Sequence, residues 1–256
     1  MAGSVTSSSA LKTEKLRRSF RGFVAVDDVS LDVRSGARHA LIGPNGAGKT
    51  TLINLLTGVL RPDAGEVMLG RERITRMPAD VRVKRGLART FQLNTLFAGL
   101  TVLESVVLAV CERRGYCGDW FRPLSSRRMA LDEAHRLLRS LVLDEDAGRT
   151  TRELPYGKQR LVEIALALAT KPSVLLLDEP AAGVPSGESR QLFETIELLP
   201  PEMTILLIEH DMSLVFRFAQ RITVLAGGRV LIEGTPAEIM ANAQVRELYL
   251  GDADHV

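Results

Sequence analysis

The sequence predicts an α/β fold in which strands and helices alternate about a sheet with parallel strands. Three observations carry this. The runs Val174-Leu175-Leu176-Leu177 and Thr204-Ile205-Leu206-Leu207-Ile208 are apolar on both faces, as buried parallel strands require. Ala40-Leu41-Ile42 feeds a glycine-rich loop and then Leu52-Ile53-Asn54-Leu55-Leu56, a strand–loop–helix order. A middle block, residues 93–170, reads as helical instead.

The elements follow in order. Met1 to Ser9 is small and polar, so residues 1–10 are expected to be a disordered leader. Val24 to Val33 is rich in β-branched residues and reads as a strand; Ser35-Gly36 is a turn, and His39 to Ile42 a second strand. Gly65 to Gly70 is a third, bounded by glycines. In the middle block Val102, Val106, Leu108 and Val110 lie near one helix face, and Met129, Ala130, Ala134, Leu137, Leu138 and Leu141 form another. Between them runs a basic stretch, Arg113 to Pro123, holding the single Trp120; it is either a solvated loop or a surface for a partner or lipid headgroups. Leu154-Pro155-Tyr156-Gly157-Lys158-Gln159-Arg160 opens a long helix with Leu161, Ile164, Ala165 and Leu168 as its stripe, and Pro155 suits its first turn. Ile222 to Leu225, Gly227-Gly228 and Arg229 to Ile232 read as a hairpin, followed by short amphipathic helices from Pro236.

Composition narrows the function. A chain of 256 residues can bury a full core. A net charge of +2 gives no electrostatic case for nucleic acid. Cys111 and Cys117 make no disulfide framework and suit a reducing compartment. The 4 histidines lack metal-ligand spacing. The longest apolar tract, Leu161 to Leu177, is broken by Glu163, Lys171 and Pro172, too short a run to span a bilayer. A soluble chain is expected, with any membrane role arriving through a partner.

The chemistry concentrates at Gly43-Pro44-Asn45-Gly46-Ala47-Gly48-Lys49-Thr50-Thr51, which has the spacing of a nucleoside-triphosphate phosphate cradle. Gly43, Gly46 and Gly48 let the backbone curl so that N–H groups face phosphate oxygens. Lys49 brings a compact positive charge to the outer phosphates, and Thr50 offers a hydroxyl to Mg²⁺. The following helix turns its N-terminus to the anion. Asp178-Glu179-Pro180 closes an apolar strand: Asp178 is placed to hold Mg²⁺, and Glu179 to polarise an attacking water. His210 ends the next strand and is expected to reach the γ-phosphate. Gly157, at an open helix start, makes a second anion site.

With these motifs in one order, the chain resembles the ATP-binding subunit of ABC transporters, and is especially similar to those of branched-chain (hydrophobic) amino acid importers. The similarity covers about residues 12–251 and rests on Phe20, Gly43 to Thr51, Gln92 in Ala88-Arg89-Thr90-Phe91-Gln92, the signature at 154–159, Leu175 to Glu179 and His210. Gly86 to Gln92, Asp178 to Gly183 and Tyr249-Leu250-Gly251 carry the narrower likeness. The resemblance implies a P-loop NTPase of ABC type: a mixed central sheet with an antiparallel β subdomain and an inserted helical subdomain. Its core would be residues 11–92 and 171–235, its helical subdomain 93–170 and its C-terminal helices 236–256, all in one ATPase domain from residue 11. It implies ATP and Mg²⁺ as cofactors. Phe20 would stack on adenine; Thr50, Gln92 and Asp178 would hold Mg²⁺, with Gln92 also sensing the membrane partner. Glu179 would be the hydrolytic base, with His210 and Lys49 on the γ-phosphate. ATP would lie between the cradle of one chain and the signature of another, bringing Tyr156, Gly157 and Lys158 to the nucleotide. Implied partners are two integral-membrane permeases, a second ATP-binding subunit and, indirectly, an extracytoplasmic solute-binding protein. The place implied is the cytoplasmic face of the inner membrane.

The chain departs from the family pattern at the signature, usually Leu-Ser-Gly-Gly-Gln. Pro155 replaces the Ser, Tyr156 the first Gly and Lys158 the Gln. Lys158 is expected to offset the lost hydroxyl with positive charge near the partner's γ-phosphate; a solvent-facing Lys158 is the alternative. Pro185 stands where an Asp or Asn is usual. Other ABC ATPases, for lipopolysaccharide export or soluble iron–sulfur cluster assembly, are the alternative functions.

Overall fold

The computed structural model describes residues 8–90, 99–116 and 127–250. The chain divides into two compact units, residues 1–82 with 201–256, and residues 83–200.

The first unit holds two sheets. Strands β1 (Ser9–Phe20), β2 (Phe23–Arg34), β4 (Ala64–Leu69) and β5 (Glu72–Arg73) form an antiparallel sheet in the order β2-β1-β4-β5. β1 begins at Ser9, inside the stretch expected to be a leader, because Ser9 pairs with Arg34 and the Ala10 carbonyl accepts from Gly70 N–H. In the second sheet β3 (Arg38–Ile42) runs parallel to β8 (Thr204–Ile208) and to β9 (Arg221–Ala226), while β10 (Arg229–Gly234) returns antiparallel on β9. The sheet is therefore mixed. Gly227 and Gly228 make the β9–β10 turn at φ 54° and 78°, a left-handed pair that suits a tight hairpin.

Helix α1 (Lys49–Thr57) follows β3, and α2 (Ala79–Lys84) supplies Arg82. Helices α7 (Met212–Phe218), α8 (Pro236–Ala241) and α9 (Ala243–Leu250) close the unit. Thr235 and Glu238 form a capping box at the start of α8, with Pro236 in its first turn. Ala40, Ile42, Val215, Ala219, Ile222, Val224, Ile239 and Val245 form a buried cluster that ties β3 and β9 to the C-terminal helices.

In the second unit β6 (Leu87–Arg89) pairs parallel with β7 (Val174–Asp178), every residue of which is buried. Helices α3 (Val102–Arg113), α4 (Arg128–Ser140) and α6 (Ser186–Glu197) pack on α5 (Tyr156–Ala169), which also meets β6. The expected apolar faces hold in part: Val102, Val106 and Val110 are buried on α3 and Ala130, Ala134 and Leu138 on α4, whereas Leu108 and Leu137 are half-buried and Met129, expected on the second face, is 60% exposed. Glu133, also buried on α4, is bonded by Arg113, Arg114 and Lys171, and these three cations hold its carboxyl at about 2 against the upward push of burial. Among the described residues no helix is long and apolar enough to cross a membrane.

Candidate functional site

The cradle at 43–51 sits between β3 and α1 and is framed by two other segments. Ala47 N–H donates to the Pro44 carbonyl at 3.2 Å, and the Ala47 carbonyl accepts from Gly228 N–H at 3.1 Å. The Gly228 carbonyl in turn accepts from Asp27 N–H at 2.8 Å. Gly48 lies at φ 99°, and a Cβ there would fall 2.3 Å from the Ala25 carbonyl oxygen. Gly43 is equally tight, its Cβ position 2.3 Å from the Leu225 carbonyl oxygen. Backbone crowding, as much as curl, thus demands glycine at both positions. Gly46, at φ 78°, faces open space, and Asn45 and Gly46 are exposed at the tip.

No side chain caps α1, and its first turn holds no acid. A helix start left uncapped in this way offers N–H groups and the positive end of its dipole to an anion. Lys49 Nζ donates to the carbonyls of Gly43 at 2.5 Å and Pro44 at 3.1 Å, so its ammonium curls back over the loop. Thr50 is exposed, and Thr51 half-buried. The far end of α1 is held by Arg82, which the sequence reading missed. Its guanidinium is buried and donates to the carbonyls of Leu55, Leu56, Thr75 and Met77 at 2.5–2.9 Å. Burial lowers Arg82 to about 10.

Phe20 ends β1 rather than preceding the sheet; it is partly exposed, and the Arg18 guanidinium lies 5.0 Å from its ring centroid. His210 does not end β8, which stops at Ile208. It lies in the loop before α7 with its side chain 67% exposed, and its backbone N–H donates to the buried Glu209 at 3.1 Å. Asp211 caps α7 through Ser213 and Leu214 N–H.

In the second unit Asp178 is the last residue of β7 and is 4% exposed. Its Oδ2 accepts from Arg89 Nη2 at 2.6 Å. Arg89 belongs to the segment quoted above, but the sequence alone gave it no role. Glu179 follows at φ 47°, a left-handed conformation uncommon for a residue with a side chain. That turn swings the backbone out of the strand, and the Glu179 carbonyl accepts from Ala182 N–H at 3.0 Å.

The start of α5 corrects two expectations. Pro155 is the N-cap residue, and the helix proper begins at Tyr156. Nor is this helix start an open anion site, because Gly157 N–H donates to Glu188 Oε2 at 2.8 Å. A carboxylate from the first turn of α6 already occupies the place an anion would take. Lys158 is not a free charge: its Nζ donates to Asp146 Oδ2 at 2.5 Å, while its side chain is 42% exposed. The Tyr156 hydroxyl accepts from the buried Arg160 at 2.8 Å, and its ring lies under Gly183. Pro185 is the N-cap residue of α6. A cavity of about 690 Å³ beside this helix start is lined by Pro155, Gly157, Lys158 and Leu161, with Glu188 and Glu194 among its other residues. Lys158 is the one cation among its lining residues, so it does not suit a polyphosphate.

Gln92, Phe91, Cys117 and Trp120 lie outside the described residues; of the basic stretch only Arg113 to Tyr116 is described.

The cradle residues suit a nucleotide's phosphates. In the first unit the exposed Thr50 hydroxyl is a hard oxygen donor of the kind magnesium takes, and Gly43, Gly46 and Gly48 put no side chain into the loop; in the second unit the Asp178 carboxylate is a donor of the same kind. Comparison with known proteins agrees. The model of the family described as ABC transporter matches residues 26–182, and that described as branched-chain amino acid ATP-binding cassette transporter matches residues 229–255. The chain is 41% identical to the high-affinity branched-chain amino acid transport ATP-binding protein LivG of Salmonella typhimurium, over 95% of this chain and 98% of that one. It is 38% identical to the BraF protein of the same description from Pseudomonas aeruginosa, at the same coverage. Among solved structures, the ADP conformation of MJ1267, an ATP-binding cassette of an ABC transporter, superposes with a TM-score of 0.82 at 32% identity, covering 95% of this chain and 99% of that one.

Proposed function

We propose that this chain, which belongs to the ABC transporter family, is the ATP-binding and ATP-hydrolysing subunit of an importer for branched-chain amino acids. The observation that carries the reading is the cradle at 43–51, opening onto an uncapped α1 in a chain whose likeness to LivG runs almost end to end.

Lys49 would leave the Gly43 and Pro44 carbonyls for the outer phosphates, where its charge offsets theirs. Loop N–H groups would bind the remaining phosphate oxygens. Bound Mg²⁺ supplies charge neutralisation at the phosphates; Thr50 and Asp178, with Gln92, would hold it. Glu179 accepts a proton from the attacking water, and His210 holds the γ-phosphate. Phe20 stacks on the base. The exposed His210 side chain leaves room for that role.

The partners proposed are two permease subunits, a second ATP-binding subunit of the same or a different kind and, through the permeases, an extracytoplasmic solute-binding protein; nucleic acid is not among them. The chain would sit peripherally on the cytoplasmic face of the membrane. Across the dimer, Tyr156, Gly157 and Lys158 would meet the partner's nucleotide only after Glu188 and Asp146 let go of Gly157 and Lys158.

The test is ATP retention and turnover by the purified chain with Mg²⁺, together with leucine uptake by cells expressing it with its permeases. Lys49→Ala should abolish retention, and Glu179→Gln should keep it while slowing hydrolysis about 10²–10⁴-fold. Unchanged retention in Lys49→Ala overturns the reading.

A further inference from the structure

Two segments of the second unit meet just after Glu179. Tyr156 and Arg160 stand one turn apart on α5, and residues 179–183 follow the end of β7. Arg160 is only 3% exposed. Its Nη1 donates to Glu163 Oε2 at 2.8 Å, a buried ion pair that one nitrogen satisfies. Its Nη2 is used elsewhere, donating to the Tyr156 hydroxyl at 2.8 Å and, at a longer 3.4 Å, to the Ala182 carbonyl. The Tyr156 ring packs on the same loop, since a Cβ on Gly183 would stand 3.5 Å from it. Ala182 N–H in turn donates to the Glu179 carbonyl at 3.0 Å. Glu179 and Gly183 are both left-handed, at φ 47° and 75°. For a glutamate that conformation is unfavourable, and it persists only where the surroundings over-determine it. A lysine would serve the ion pair; a planar fork is needed to serve Glu163, Tyr156 and Ala182 together.

We propose that Arg160 is a positioning residue for hydrolysis: through the Ala182 carbonyl, and through the Tyr156 ring on Gly183, it holds the left-handed turn that aims Glu179. This rests on the reading of Glu179 as the group that takes the proton from water. Arg160 acts through the turn and not on the nucleotide, so its loss should slow the chemical step and spare ATP binding.

The experiment measures phosphate release by the chain assembled with its permeases, and ATP affinity and thermal midpoint on the purified chain. Arg160→Lys keeps a charge for Glu163 and lacks the fork. It should slow turnover about tenfold or more, with ATP affinity within about twofold of wild type. In a Glu179→Gln background the same change should slow turnover no further, because the group it positions is already gone. The pair Arg160→Met with Glu163→Gln, which leaves neither of these charges buried, should slow turnover as much as Arg160→Lys. Glu163→Gln alone should lower the midpoint and leave turnover within about twofold. Wild-type turnover in Arg160→Lys overturns the proposal, as does the full slowing repeated in the Glu179→Gln background or an equal slowing in Glu163→Gln. A wild-type chain that binds no ATP overturns the nucleotide reading, and this proposal with it.

Discussion

Arg89 donates to the Asp178 carboxylate at 2.6 Å across the parallel β6–β7 pair, and both side chains are largely buried. The carboxylate expected to serve Mg²⁺ is therefore stored next to a guanidinium. Arg89→Met would leave a buried charge without this partner. We expect a loss of about 3–5 kcal/mol in unfolding free energy, read by urea titration. A loss under about 1 kcal/mol would mean that the carboxylate is satisfied elsewhere.

The cradle glycines should not be equivalent. Gly48→Ala places a methyl 2.3 Å from the Ala25 carbonyl oxygen, so strand β2 or the loop has to move. Gly46→Ala meets nothing and costs roughly 1–2 kcal/mol for its left-handed backbone. ATP binding should fall more than about tenfold in the first and less than about threefold in the second, measured by calorimetry.

Arg82 is the counterpart of the cradle at the opposite end of α1. Arg82→Met strips hydrogen bonds from the carbonyls of Leu55 and Leu56 while keeping most of the packing. Unfolding free energy should drop by about 2–4 kcal/mol in urea titration. Arg82→Lys should recover part of it.

Acid should weaken the first unit through His39. The imidazole is fully buried, and burial lowers it to about 4. Thr223 gives its hydroxyl hydrogen to Glu233 at 3.0 Å, so His39 Nε2 must be the donor in its 2.8 Å bond to Thr223. The folded state needs neutral His39, whereas the unfolded chain takes up a proton below about 6.5. Between about pH 6.5 and 4 the unfolded state binds more protons, so stability falls as pH falls, by up to about 3 kcal/mol. His39→Gln should flatten the thermal midpoint between pH 7 and 5; a slope equal to wild type would assign the acid sensitivity to other groups.

The parts that were legible in the sequence are those written in adjacent residues. Val174 to Leu177 and Thr204 to Ile208 declared buried strands, Gly43 to Thr51 a cradle, and Gly227-Gly228 a hairpin turn. Ser9 to Phe20 was hidden because its charged residues break alternation, and the strand is indeed bulged, with register shifts from Ser9/Leu11 to Arg18/Ser19. Arg89 on Asp178, Glu188 on Gly157 and Lys158 on Asp146 are contacts over separations of 89, 31 and 12 residues. Such separations are set by packing, which no local pattern encodes. The left-handed turn at Glu179 was hidden for the opposite reason: nothing in Asp178-Glu179-Pro180 announces a positive φ at the glutamate.

Ala25, Gly48 and Gly228 meet backbone to backbone. During synthesis, the segment that bears Gly228 leaves the ribosome some 180 residues after Gly48 does. The cradle motif is thus translated early yet acquires its scaffold near the end, and a stalled or truncated product would display these glycines with no capacity to grip a phosphate.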